Sequence, residues 1–217
     1  MGTISTKKLA GMSLMLGPAI TLVCYFIQQL SVFANAKEGD ASSFAVAAAE
    51  GGVVTIATAI IIPLSLMMMV YGMFYIANGI RENGNGDALV RYAIPLLLVG
   101  FTGFVLSSGI MVSVTNSPAP AAAAEAAMLA ASGINSVGGI FFSLGAAALF
   151  FAMASRDEYN KTLATVAGFI GLLAFVFSIT GFSSTELSEV MTPLVGVTYI
   201  FHSIYAIYLG RRFFAKG

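Results

Sequence analysis

The stretch YIFHSIYAIYLGRR, residues 199–212, contains the chain's one histidine inside a long apolar run. Counted from Gly210, His202 lies about eight residues, or roughly 12 Å, into a helix. At helical spacing Thr198, Tyr199 and Tyr205 share its face. A stripe of hydroxyls around an imidazole is hydrogen-bonding material, and an ionisable group among apolar residues is a functional-site candidate by default. The chemistry open to it is a proton relay, a haem or metal ligand, or a contact to a polar substrate or quinone. Equally open is a structural role, in which the imidazole bonds a tyrosine or a backbone carbonyl and links two helices for about 1 kcal/mol. One histidine cannot hold a haem between two histidines within a single chain.

The second group of polar side chains lies in TIATAIIIPLSLMMMVYGMFYIAN, residues 55–78. Thr55, Thr58, Ser65, Tyr71, Tyr75 and Asn78 accompany Pro63, which frees the carbonyl four residues earlier and bends a helix. With Thr198, Tyr199, His202 and Tyr205, the residues Tyr71, Tyr75 and Asn78 define a candidate polar cavity between two helices. Pro18, Pro95 and Pro193 offer further bends. Met67, Met68 and Met69 are consecutive and so point around their helix rather than forming one sulfur face. Of Gln28 and Gln29, one is expected to bond across to a neighbouring helix and the other to meet lipid headgroups.

Several chemistries find no residues here. One cysteine, Cys24, cannot pair within the chain, and with one histidine it does not complete a Cys/His metal set. There is no H-E-x-x-H, G-x-S-x-G or Walker sequence, and no carboxylate or lysine sits deep in an apolar run. Serines such as Ser107, Ser143 and Ser178 read as partners for backbone carbonyls rather than nucleophiles. No catalytic or metal site is predicted and no nucleic-acid surface. No cofactor is predicted either, apart from the haem or quinone that His202 leaves open.

The elements that position these residues follow from composition. Of 217 residues 58% are hydrophobic and 9% charged, and the mean hydropathy is +0.91. Soluble domains carry roughly 25% charged residues, so this chain reads as one integral membrane domain over 1–217. Runs of about 20 apolar residues each suffice to cross a hydrocarbon core of about 30 Å. Hydropathy places six spans near 9–33, 53–79, 88–114, 137–155, 162–182 and 190–210. The fold class is therefore an all-α, polytopic helical bundle. The chain has no tryptophan, which leaves its eight tyrosines to supply an aromatic belt.

Of ten lysines and arginines, Lys7, Lys8, Arg81, Arg91, Arg156, Lys161, Arg211, Arg212 and Lys216 fall on one side of a six-span arrangement. The other side carries Lys37 among Glu38, Asp40, Glu50, Glu125, Glu186 and Glu189. Cytoplasmic connections retain the positive residues, so both termini are expected in the cytoplasm, in a plasma or bacterial inner membrane. Residues 7–36 also resemble a signal peptide ending in Ala34-Asn35-Ala36, but the apolar stretch is longer than the usual 7–15 residues and is read as a retained span.

The turns RENGNGD (81–87) and RDEYNK (156–161) are short and polar. The outer connections ASSFAVAAAE (41–50) and APAAAAEAAMLAASG (119–133) are rich in alanine, the best helix former. With Pro118 and Pro120 suited to a helix start, they are expected as short helices at the outer interface, with disordered linker as the alternative. The order of outer segment, descending span, charged turn and ascending span occurs at 41–114 and again at 121–182, which raises the possibility of a duplication.

Small residues mark helix packing. Gly139, Ser143 and Ala147 in span four, and Ala164, Ala167, Gly168 and Gly171 in span five, follow small-xxx-small spacing and nominate those two spans as the closest pair. The glutamates of the outer side read as loop solvation or as an electronegative mouth.

Three functions remain open: a non-catalytic accessory or scaffold subunit of a membrane complex or homo-oligomer, a small transporter or channel lined by spans two and six, and a haem- or quinone-associated subunit using His202. The charge pattern supplies a first test. Reporter fusions in the 81–87 turn, in the 156–161 turn and at the chain end are expected to report one and the same side; a split among them removes the six-span reading.

Overall fold

The computed structural model describes residues 4–37, 39–82, 84–117 and 120–216; Glu38 and Pro118 lie outside them. Six helices in it are long and apolar enough to cross a membrane. They are α1 (Thr6–Ile27), α2 (Ala41–Arg81), α3 (Asp87–Asn116), α4 (Ala121–Ala154), α5 (Lys161–Gly181) and α6 (Thr185–Ala215). Polar side chains start several of them: Ser5 accepts from Lys8 N, Asp40 from Ser42 N and Ser43 N, Asn160 from Leu163 N, and Ser184 from Leu187 N. Each bond satisfies a backbone donor that the first helical turn leaves unpaired.

Each helix packs on its neighbours in sequence, and α6 returns to pack on α1, so the bundle closes into a ring. Helix α4 also packs across the ring against α2. Its most apolar stretch is 67% buried, against 28–39% for the others, which makes α4 the central helix. The sequence GGIFFSLGAAALFF explains this, because a helix walled by protein on most sides must present small residues in several directions.

Close approach is built on glycine. A Cβ placed on Gly100 of α3 would lie 2.6 Å from Phe142 N and 2.7 Å from Gly138 O of α4, so the two backbones nearly touch. On α1, a Cβ on Gly17 would lie 2.6 Å from Ser65 O of α2, and one on Gly11 2.8 Å from Gly210 O of α6. The most extensive interface is α3 on α4, ahead of α4 on α5. Spans four and five do meet, at Gly171 against Ala147 and Gly168 against Phe151, but they are not the closest pair. The small residues that settle the ranking, Gly100, Gly103, Gly138 and Gly145, form a register distinct from that of Gly139, Ser143 and Ala147.

The outer segments differ from expectation in one case. Gly52, at φ 49° and ψ −120°, breaks α2 and sets off 41–51 as a short helix of its own. Only glycine takes such angles readily. Residues 121–135, by contrast, are the first turns of α4 and not a separate helix. An uninterrupted alanine-rich sequence has nothing to stop it, and 34 residues extend about 51 Å. Ala45 and Met128 of the two segments join Val114 of α3 in one apolar cluster. The chain runs helically through Pro63, and the one non-helical residue inside α2 is Gly52. At the end of α1, Gln28–Val32 widens into a π-helical turn, with Phe33 N donating to Gln28 O at 3.0 Å.

At the opposite end the basic residues gather. Lys7 Nζ donates to Lys216 O at 3.4 Å, joining the two chain ends. Arg156 donates to Ile80 O at 2.8 Å and to Asn85 O at 3.2 Å, tying the second charged turn to the first. Nine of the ten cationic side chains therefore sit at one end of the bundle.

Glycine contacts give a paired test. Gly100→Ala is expected to destabilise the protein by about 1–3 kcal/mol through overpacking against backbone, whereas Gly109→Ala, with open space around the added methyl, leaves the thermal midpoint in detergent unchanged. Equal midpoints for the two variants would contradict the α3–α4 contact.

Candidate functional site

The α6 stripe faces inward. His202 is 7% exposed, and its Nε2 lies 3.0 Å from Ala167 O of α5. A carbonyl only accepts, so Nε2 carries the proton in this bond. The imidazole lies 5.0 Å, centroid to centroid, from the Phe150 ring of α4, and Phe201 stands edge-on at 6.4 Å. One turn earlier, the Tyr199 hydroxyl is 3.3 Å from Ser143 Oγ of α4. One turn later, Tyr205 donates to Tyr159 O at 2.6 Å. Thr198 donates to its own helix at Val195 O, 2.6 Å away. The side chains of Tyr199, His202 and Tyr205 thus connect α6 to α4, to α5 and to the turn between them. Tyr159, in that turn, has its phenol raised above the usual tyrosine range, first by burial and then by the neighbouring Glu158.

The structure does not bring the remaining cavity candidates to this stripe. Helix α1 stands between α2 and α6 and packs on both. Tyr71 is 38% exposed on the outer surface of the bundle. Tyr75 meets α6 only at its end, edge-on to Phe213 at 5.7 Å. Asn78 belongs to a cleft at the basic end with Arg81, Glu82 and Arg91. Another cleft runs along α1 past Val23, Phe26, Ile27, Leu30 and Ser31, and His202 lines neither of these two. Among the packing residues, Ala147, Ala164, Ala167, Gly168 and Gly171 lie in or beside the α4–α5 contact, with Ala147, Ala164 and Ala167 fully buried. Gly139 and Ser143 instead face the Tyr199 hydroxyl of α6.

A second polar cluster ties α1, α2 and α3 near their outer ends. Gln28 Nε2 donates to Thr58 Oγ1 at 3.1 Å and approaches Met111 Sδ at 3.4 Å. Thr21 and Ser65 share a hydrogen bond of 2.7 Å. Thr58 donates onward to Val54 O at 2.9 Å. Thr55, fully buried beside Gly51, has no partner for its hydroxyl among the described residues. A threonine in an unbroken helix bonds the carbonyl a turn back; here the Gly52 break removes that geometry. Among the described residues no group of three or more His, Cys, Asp or Glu side chains has the arrangement to hold a metal ion.

The basic-end cleft was not singled out by sequence reasoning. The signal available was the Asp87–Arg91 spacing of four residues directly after a Gly/Asn turn, which places an ion pair on the first turn of a helix. In the structure Asp87 Oδ2 accepts from Arg91 Nε at 2.7 Å, while Arg81 Nε is 3.9 Å from Asp87 Oδ1.

The fold and these clusters define an all-helical bundle whose six apolar helices are compatible with a multi-pass membrane protein. Comparison with protein-family models, curated proteins and solved structures gives no match.

The two threonines of α2 give opposite predictions. Thr55→Val removes an unpartnered buried hydroxyl and is expected to hold or raise the thermal midpoint. Thr58→Val leaves Gln28 without its acceptor and is expected to cost about 1–2 kcal/mol. A loss for Thr55→Val as large as that for Thr58→Val would show that the Thr55 hydroxyl has a partner in the folded protein.

Proposed function

We propose that the chain is a non-catalytic accessory or scaffold subunit of a membrane complex, with both termini cytoplasmic in a plasma or bacterial inner membrane. The observation that carries this reading is the bond between His202 Nε2 and Ala167 O, closed over by Phe150. The one side chain with chemistry available at depth is engaged in joining α6 to α5. Its flanking tyrosines are engaged in the same way.

The geometry weighs against the other two readings. A path lined by spans two and six would have to pass α1, which packs between them. Coordination of haem iron through Nε2 would require breaking the bond to Ala167 O and displacing the phenylalanine at 5.0 Å. The partner surfaces available to a scaffold are the protruding outer turns of α4 and the exposed helix faces of the ring, which suit other membrane proteins or a second copy of the chain.

His202→Phe tests the proposal. The variant is expected to accumulate, melt within a few degrees of the native protein and co-purify with the same membrane proteins. Loss of a cellular activity with assembly and partners intact would overturn the scaffold reading and return His202 to a functional role.

A further inference from the structure

The cleft at the basic end has a charge arrangement that the scaffold reading does not use. It lies between the last turn of α2 and the first turns of α3 and is lined by Asn78, Arg81, Glu82 and Arg91. Two guanidinium groups and the Glu82 carboxylate line it, and Asp87, paired to both arginines beside it, brings the group to neutrality with its charges divided in space. Asp87 sits between the arginines, close to Arg91 at 2.7 Å and loosely to Arg81 at 3.9 Å. The arginine side chains remain 40% and 63% exposed and keep donors available. Glu82 is exposed, and its carboxylate has no hydrogen bond or ion pair among the described residues, its backbone N–H alone bonding Asn78 O at 3.1 Å.

The helix ends divide the field in the same sense. Carbonyls at the end of α2 favour a cation, and the amides opening α3 favour an anion. A ligand that carries a phosphate and an ammonium group a few bonds apart matches both: the phosphate oxygens take the guanidinium donors, and the ammonium donates to Glu82 and to the Asn78 amide oxygen. The cleft also stands where α2 and α3 leave their apolar stretches. Tyr92, next to Arg91, is 54% exposed on the outer surface, the placement of an interfacial aromatic. A purely anionic headgroup would bring its phosphate to the arginines but leave Glu82 without a cation.

We propose that this cleft binds the headgroup of a zwitterionic phospholipid with a primary ammonium, the phosphoethanolamine class, at the membrane surface. The inference rests on the six helices lying in lipid and not on the scaffold role, so it stands or falls separately from that reading.

The test is the thermal midpoint of the full-length protein in detergent, with added phosphatidylethanolamine, phosphatidylcholine or phosphatidylglycerol. The expected result is the largest upward shift with phosphatidylethanolamine. Phosphatidylcholine lacks ammonium hydrogens and phosphatidylglycerol lacks the ammonium. Glu82→Gln, at an exposed and unpaired position, is expected to keep the fold and to lose the preference for phosphatidylethanolamine over phosphatidylglycerol. Arg81→Gln is expected to reduce the shift for all three lipids. Equal shifts for the three lipids in the native protein would overturn the proposal, as would an unchanged preference in Glu82→Gln. Soluble glycerophosphoethanolamine is expected to give no shift at millimolar concentration; a shift equal to that of the lipid would overturn the membrane-surface assignment.

Discussion

Backbone-to-backbone approach at glycine is the contact on which this bundle depends. Lipid chains are as apolar as leucine, so helices in lipid gain little from burying apolar surface against one another and associate through packing and polar bonds. The chain meets that constraint by setting a glycine opposite backbone: Gly100 against Phe142 N, Gly17 against Ser65 O, Gly11 against Gly210 O. These contacts fix which helix lies beside which and so determine the ring. They also let α4 occupy the centre, where a helix of ordinary side-chain size would hold its neighbours apart.

The central position of α4 gives the polar side chains their roles. With α4 filling the middle, the buried hydroxyls and the imidazole on the inner faces of the other helices are removed from water, and each needs a partner within the protein. Tyr199 takes Ser143, His202 takes Ala167 O, and Tyr205 takes Tyr159 O. On the other side of the ring Gln28 takes Thr58, and Thr21 takes Ser65. Polar residues in such positions join helices in pairs and set their rotation about their own axes. Thr55 departs from the pattern because the backbone break at Gly52 moves its usual acceptor away.

How far the sequence disclosed this structure depends on the kind of signal. Six helices were legible because a run of apolar residues states its length directly, and the grouping of basic residues was legible because charge is read without geometry. The inward face of Thr198, Tyr199, His202 and Tyr205 also followed from helical period. Pairing of helices did not follow. Gly139, Ser143 and Ala147 are spaced for contact just as Gly100, Gly103, Gly138 and Gly145 are, and spacing on one helix carries no information about which partner meets it. For the same reason the union of Tyr71, Tyr75 and Asn78 with His202 failed, since nothing in either span reveals that α1 stands between them. The break at Gly52 was hidden by an alanine-rich context that favours continuous helix.

Incompletely paired charged groups lie at the basic end of the bundle rather than in its middle. In the interior Gln28, Tyr199, His202 and Tyr205 bond to other elements, while Thr58 and Thr198 bond carbonyls of their own helices, and a ligand entering there would have to displace bonds that join the helices. At the basic end the ion pairs are partial: Asp87 divides itself between Arg91 and a more distant Arg81, and Glu82 faces outward. Groups held in place by the fold yet incompletely paired are the ones available to a second molecule. The same turn is anchored from behind by Arg156, whose bonds to Ile80 O and Asn85 O tie it to the end of α4. Arg156 thus holds the backbone at Ile80 and at Asn85, beside the charged groups, and groups positioned beforehand cost a ligand less entropy than groups that binding must order.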